Sequence, residues 1–215
     1  MKSRPRSKPR RAEVVREIAI DGVERIAGVT HDGERLWFAD MTRGGLVAVD
    51  PASGKTVRRL IDIPVEAGTA FDGQHLYQLA NGKIHVIDRE SGAIVRSLEA
   101  PPGALSGMAY AAGALWIGDY TGRSIHKVDP ATGRIEKTIA CDRFVTGVTW
   151  AAAELWHGVD EEGSELRHVD AESGEVLERL ALPANVRCSG LESDPDGRLW
   201  FGDRSSGTLR AVKRK

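Results

Sequence analysis

The apolar positions of this chain fall in short runs, and none of them carries the 3.6-residue period of a helix. In the first full unit the runs cover residues 27–30, 35–39, 46–49 and 56–61. Each has strand length, and polar turn segments separate them. "HDGE" at Asp32-Gly33 and "FDGQ" at Asp72-Gly73 read as tight type I′ hairpin turns, in which Gly supplies positive φ. In "DPASG" at Asp50, "DRESG" at Asp88, "DPATG" at Asp129 and "DAESG" at Asp170, Asp opens the turn and Gly takes the left-handed position before the next strand.

This four-run unit recurs. The aromatic of each "LW" or "LY" pair stands at Trp37, Tyr77, Trp116, Trp156 and Trp200, at spacings of 40, 39, 40 and 44 residues. A glycine precedes each by nine or ten positions, at Gly28, Gly68, Gly107, Gly147 and Gly190. Four antiparallel strands per repeat of this length make a propeller blade. The sequence therefore predicts an all-β, five-bladed β-propeller of four-stranded antiparallel blades over residues 13–215. The fifth unit lacks its fourth strand. Residues 13–20, "EVVREIAI", resemble one and precede the first unit, so the N-terminal strand is expected to complete the last blade and remove the open edge. The alternative is a four- or six-bladed ring built with a partner chain.

Charge adds one feature. Six basic residues and no acidic ones stand in the first eleven positions, so the remainder carries about −7 against a total of −1. Residues 1–12 read as a basic disordered tail. The near-neutral total argues against a dedicated nucleic-acid partner, and no run reaches membrane-spanning length. The expected protein is a cytoplasmic monomer without a specific nucleic-acid or membrane partner. A truncated export signal is the alternative to that location. Cys141 and Cys188 show no motif spacing, so no metal or redox pair is expected.

Residues that recur in every unit read first as structural. The tryptophans should fill the space between blades. Asp40, Asp119 and Asp203 end the second strand of their blades, too far from the axis to share one cation, so turn or inter-blade hydrogen bonds are expected. His85 and His126 read as solvated residues of the third strand. His31 and His75 adjoin turns.

Chemistry is sought where the copies differ. The innermost strands present Thr30, Ala70, Ala109, Thr149 and Glu192 to the channel, and a carboxylate in that crowded ring is the outlier. Glu192 is the candidate general acid/base or ligand anchor, with a shifted pKa. The competing reading is a glutamate bound to channel water or to backbone amides of the next blade. His157 is the second catalytic candidate, placed near the mouth. The loops of one face carry Arg25, Glu66, Arg143, Phe144, Arg187, Tyr120 and Arg43 as ligand-binding candidates. Glu24, Asn81, Arg123, Asp160, Glu161 and Arg204 stand beside them. Arginine among aromatics fits a polar or anionic small ligand. The acidic "VDEEGSE" loop reads as a lid. No metal site and no cofactor is expected, and a divalent cation in the channel is the less favoured alternative. No nucleophile with a base is visible.

The stretches "GVTHDGERLWFADMTRGGLVAVDPASGKTVRRL" and "SGMAYAAGALWIGDYTGRSIHKVDPATGRIEKTI" resemble repeats of the bacterial glutamine cyclotransferase-like propellers and, more loosely, of the streptogramin lyase-like and YVTN-type propellers. The resemblance spans nearly the whole chain and rests on turn and core pattern. It implies five blades and glutaminyl-peptide cyclotransferase activity, the conversion of N-terminal glutamine to pyroglutamate. The stretch "SGLES" is similar to the family's "NELE", which puts Glu192 on its second glutamate. The chain departs from that pattern at Ser189 and Gly190. It departs again at Phe38, where the family's "YEST"-like stretch carries a glutamate. The resemblance thus implies a small molecule or peptide N-terminus as partner, with Glu192 as acid/base and Arg143 or Arg187 assisting. A lyase-like activity and a non-catalytic ligand- or protein-binding scaffold are the alternatives.

Overall fold

In the computed structural model, which describes residues 8–214, a strap of two strands precedes the blades: β1 (Arg10–Arg11) and β2 (Glu13–Ala19). Blade one is β3 (Ile26–His31), β4 (Leu36–Asp40), β5 (Leu46–Val49) and β6 (Thr56–Leu60). Blade two is β7 (Thr69–Phe71), β8 (His75–Ala80), β9 (Lys83–Asp88) and β10 (Ile94–Glu99). Blade three is β11 (Leu105–Ala111), β12 (Ala114–Asp119), β13 (Ser124–Val128) and β14 (Ile135–Ala140). Blade four is β15 (Val148–Ala151), β16 (Glu154–Val159), β17 (Glu165–Val169) and β18 (Val176–Ala181). Blade five is β19 (Cys188–Ser193), β20 (Arg198–Asp203) and β21 (Thr208–Lys213). Strand β2 is its fourth member, antiparallel to β21 with Ile18 opposite Leu209. The five-bladed propeller and the N-terminal completion of its last blade are as the repeat predicts.

The tail begins differently from expectation. Residues 1–7 lie outside the described residues. Arg10 and Arg11, placed in the disordered tail by composition, form β1 and pair in parallel with Leu180 and Ala181 of β18. Ala12 N–H donates to Ala181 O at 2.9 Å, and Arg10 pairs with Glu178. Two residues of backbone pairing and one ion pair suffice to hold this short segment against blade four.

The repeat residues do the structural work assigned to them. Trp37, Trp156 and Trp200 are completely buried between blades, and Trp116 and Tyr77 nearly so. The Asp of the first hairpin also serves its tryptophan. Asp32 accepts from Trp37 Nε1 at 2.7 Å and from the amides of Glu34 and Arg35. Burial alone would raise the Asp32 pKa, but these donors outweigh it and hold the carboxyl below its usual range. Asp72 with Tyr77 and Asp194 with Trp200 repeat the device. These turns differ in detail from expectation. Only Gly33 and Gly73 take positive φ, at 95° and 99°, so the turns are not type I′. The Asp side chain supplies the bonds that close them.

The aspartates that end the second strands are turn residues. Asp40 accepts from the Thr42 and Arg43 amides and from Arg59, Asp119 from Gly122 and Ala104, and Asp203 from Arg187 and Ser205. His85 and His126 are corrected. Both are buried rather than solvated, with Nδ1 beside Ser97 Oγ and Thr138 Oγ1 of the outer strand of the same blade, each 2.9 Å away.

The outer strands are guarded. Register slips by one residue in β6, β10 and β18, leaving Val57, Val95 and Leu177 unpaired and about half exposed. A bulge of this kind bends an edge and discourages strand addition.

Candidate functional site at the channel mouth

The five repeat glycines decide where a ligand can go. They lie where the inner strands come closest. A Cβ on Gly190 would stand 2.9 Å from Gly28 Cα, and one on Gly147 would stand 2.6 Å from the Gly190 carbonyl carbon. A Cβ on Gly28 would stand 2.5 Å from Thr69 N, and one on Gly68 would stand 2.7 Å from the Gly107 carbonyl carbon. Such distances are closer than real Cβ atoms approach, so only glycine permits this ring of backbone contacts. Strands of non-adjacent blades, β11 with β19 and β3, come within 8 Å across the axis. The glycines form a belt that pinches the channel.

Above the belt lies a cavity of about 290 Å³. Its floor is the residue just before each glycine: Ala27, Ala67, Ser106, Thr146 and Ser189. Its rim includes Arg25, Glu66 and Ala104 from loops that lead into inner strands, and Met41, Tyr120 and Arg204 from loops after second strands. Cys188 also lines it, but burial pushes its thiol up to about 12, and that of Cys141 likewise, so neither is a thiolate nucleophile.

The rim is electrostatically uneven. Arg25 and Arg204 are exposed and take part in no salt bridge among the described residues; their backbone amides bond to Thr42 Oγ1 and Arg187 O. Glu66 accepts from the Asn81 amide at 2.8 Å. Tyr120 donates to Asp160 at 3.1 Å, and burial followed by the Asp160 charge raises its pKa. On the floor, Thr146 Oγ1 is buried with the Cys188 thiol as its polar neighbour. It sits with Cys188 Sγ against the face of Gly158, where a Cβ would meet them at 2.5 and 2.7 Å.

Of the expected ligand-binding residues, Arg25, Glu66 and Tyr120 line this cavity. Phe144 stands behind Tyr120, ring centroids 4.6 Å apart, with the Arg123 guanidinium stacked on its outer face. Arg143 is drawn to Glu162 at 2.8 Å and Glu161 at 4.0 Å, away from the cavity wall. Arg187 is exposed beside the rim without lining it. Arg43 lies against Gly22, where a Cβ would meet its guanidinium carbon at 2.6 Å. The acidic loop is tied down, with Glu161 accepting from Arg123 and the Phe144 amide, so nothing in its bonding resembles a loose lid.

Neither catalytic candidate reaches the cavity. Glu192 follows Gly190 by two residues and lies on the other side of the belt, outside the cavity lining. Thr30 Oγ1 donates to its Oε2 at 2.8 Å, and Thr149 Oγ1 and Ser193 N–H donate to Oε1 at 2.7 Å each. The His31 amide of blade one contributes as well. Burial raises the Glu192 pKa, partly countered by these donors. The carboxyl thus stitches blades four, five and one together. His157 is corrected from its expected place near the mouth. It is completely buried within β16, with Nδ1 3.2 Å from Gly158 O and Nε2 unpartnered. Burial first, then the Arg167 charge, lowers its pKa to about 4.

Sequence reasoning missed the floor. Ser106, Thr146 and Ser189 occupy a position that is small in every copy, which reads as structural. The usable signal was their adjacency to the belt glycines. Among the described residues no group of three or more His, Cys, Asp or Glu side chains could hold a metal ion.

No curated protein matches this sequence. Among solved structures, the chain is similar to the glutaminyl cyclase of Myxococcus xanthus, with a TM-score of 0.79 and 18% identity over 96% of this chain and 98% of that one. It is also similar to a streptogramin B lyase, with a TM-score of 0.56 and 12% identity over 94% of this chain and 98% of that one. The expected likeness to both kinds of propeller is therefore found, and at these identities it concerns the fold. The sequence of residues 24–185 matches the PQQ_2 family, described as "Outer membrane protein assembly factor BamB". That match spans most of the chain, which belongs to this family of propeller-repeat proteins.

Proposed function

We propose that this propeller is a ligand-binding protein that holds a small molecule or peptide terminus bearing an oxyanion in the mouth cavity. One observation carries the reading. Arg25 and Arg204 line a closed-bottomed cavity and have no salt-bridge partner among the described residues. Two arginines of the same face, Arg143 and Arg123, are by contrast paired with Glu162 and Glu161 and stand off the cavity. A pair of guanidiniums without ion pairs in one cavity is suited to a carboxylate or phosphate, which accepts their planar donors. The cavity offers no nucleophile and base in reach of each other, so binding without turnover is the function it supports best.

A thermal-shift screen of carboxylates, phosphates and amines tests this. Anionic ligands are expected to raise Tm by mass action, and amines of equal size are not. Stabilisation by amines alone contradicts the proposal.

A second reading follows from the Myxococcus structure. In it the protein cyclises N-terminal glutamine, with Glu192 as acid/base. Against it, Phe38 is completely buried where that family's other glutamate would stand, and the belt separates Glu192 from the cavity. A general acid must come within hydrogen-bond reach of its substrate. Incubation with Gln-initiated peptides should yield no pyroglutamate. Turnover that Glu192→Gln abolishes would make the second reading the better one.

A further inference from the structure

The rim differs from blade to blade at one repeated position. In blades one, three and five, the residue after the second strand donates its amide to a carbonyl of the loop entering the inner strand. Met41 donates to Arg25 O at 3.0 Å, Tyr120 to Ala104 O at 2.8 Å and Arg204 to Arg187 O at 2.9 Å. This shared bond fixes the position, and all three residues line the mouth cavity. Their chemistry differs. Arg204 of blade five and Arg25 of blade one stand on neighbouring blades and carry the guanidiniums of the lining. In a ring of five, blade three stands opposite the seam between blades five and one, and its strand β11 comes within 8 Å of β19 and β3 across the axis. Blade three gives the cavity Ala104, Leu105, Ser106 and Tyr120. The Tyr120 hydroxyl is committed to Asp160, and Phe144 packs on its ring with centroids 4.6 Å apart. The ring is thus held in place, and what it offers the cavity is ring carbon rather than a free hydroxyl.

We infer that the mouth takes a small aromatic acid, with its oxyanion on Arg25 and Arg204 at the seam of blades five and one and its ring against Leu105 and Tyr120 of blade three. This rests on the mouth as an anion site and adds the class and orientation of the ligand. Charge sets the orientation. Glu66, the one carboxylate of the lining, stands on blade two and accepts from the Asn81 amide, so an anion is favoured on the arginine side. Volume sets the size. At about 290 Å³ the cavity is at the small end of ligand sites, room for one ring and one acid group. The far wall sets the class. A bare anion would meet the arginine side alone, whereas a ring also buries against Leu105 and Tyr120. A fixed tyrosine ring favours an aromatic partner over a saturated one of equal size, through offset or edge-on contact. Met41 lines the cavity as well, and its thioether suits an aromatic edge.

The test measures Kd by calorimetry on the unmodified protein for phenylacetate, cyclohexylacetate, phenylacetamide and acetate. Phenylacetate is expected to bind at least tenfold more tightly than phenylacetamide or acetate, and several-fold more tightly than cyclohexylacetate. Phenyl phosphate binding more tightly still would assign the head as a phosphate and keep the ring in place. In Tyr120→Leu the preference for phenylacetate over cyclohexylacetate should vanish, and in Tyr120→Phe it should remain. Equal affinity for phenylacetate and acetate, or for phenylacetate and cyclohexylacetate, overturns the inference but leaves the mouth as an anion site. A preference that survives in Tyr120→Leu overturns the placement of the ring on blade three. Equal affinity for phenylacetate and phenylacetamide overturns both the inference and the anion site. Failure of every probe, with no ligand in the thermal-shift screen, removes the mouth site as well.

Discussion

Burial favours the neutral forms of both Glu192 and His157, and the pH dependences that follow have opposite signs. Glu192 has a folded pKa above its ordinary value, so its contribution to stability is complete at low pH and is lost as pH rises through that raised value. Glu192→Gln keeps an uncharged group beside Thr30 and Thr149. The variant should gain on the native protein as pH rises from 4 to 8, in a series of Tm measurements. A Tm difference that stays constant with pH contradicts the burial account. His157 is the reverse case. Its pKa of about 4, against 6.5 ordinarily, means that its contribution is complete above pH 6.5 and is lost as pH falls toward 4. That gap corresponds to roughly 3 kcal/mol. Blades one and five carry Phe38 and Phe201 at the equivalent place. His157→Phe should therefore shift the acid unfolding midpoint to lower pH, read by circular dichroism. An unchanged midpoint would mean that the histidine is not held neutral. The charged groups around it, Arg167 with Asp142 at 2.5 Å and Glu165 at 2.9 Å, stay paired in this variant.

At the scale of elements, the N-terminal segment does two jobs of unequal size. Strand β2 fills blade five and buries Ile18 with Trp200, Leu209 and Phe38 in one cluster. Strand β1 adds a two-residue ladder at the edge of blade four. Deleting residues 1–21 should leave aggregated or unfolded protein, because it uncovers that cluster and the β21 edge. Deleting only residues 1–12 should leave a folded propeller with Tm lowered by a few degrees, since a small number of net hydrogen bonds at about 1 kcal/mol each is lost. Chromatography and a melting scan of the two truncations decide this. Similar behaviour of both would contradict the division of labour. Much of this level was legible in the sequence. Trp37, Gly28 and the Asp50 turn repeat, and repetition marks strands and turns whatever their neighbours are. Strand β1 was not legible, because Arg10 and Arg11 look like solvated charge. Only the free β18 edge and Glu178 make them a strand.

Across the whole molecule, the belt separates two regions with different chemistry. Its glycines were visible in the sequence as a repeat, but their closeness was not, because it arises only when five blades meet at an axis. That is why Glu192 drew attention as the one charge in the channel ring while the cavity formed elsewhere. The rim residues Arg25, Glu66 and Tyr120 could be placed from loop position alone. Arg143, Phe144 and Arg43 belong to the same face, yet neighbouring acids, rings and turns draw them off the cavity, and Arg187 is exposed outside its lining. On this account the mouth binds and the region below the belt holds the blades together. The most direct measurement compares ligand Kd at pH 7 with the pH profile of Tm in two variants, Arg25→Ala/Arg204→Ala and Glu192→Gln. The first variant should lose tenfold or more in affinity and keep the native Tm profile. The second should keep the affinity and alter the profile. Loss of binding in a folded Glu192→Gln variant, with native affinity in the double arginine variant, would contradict the account.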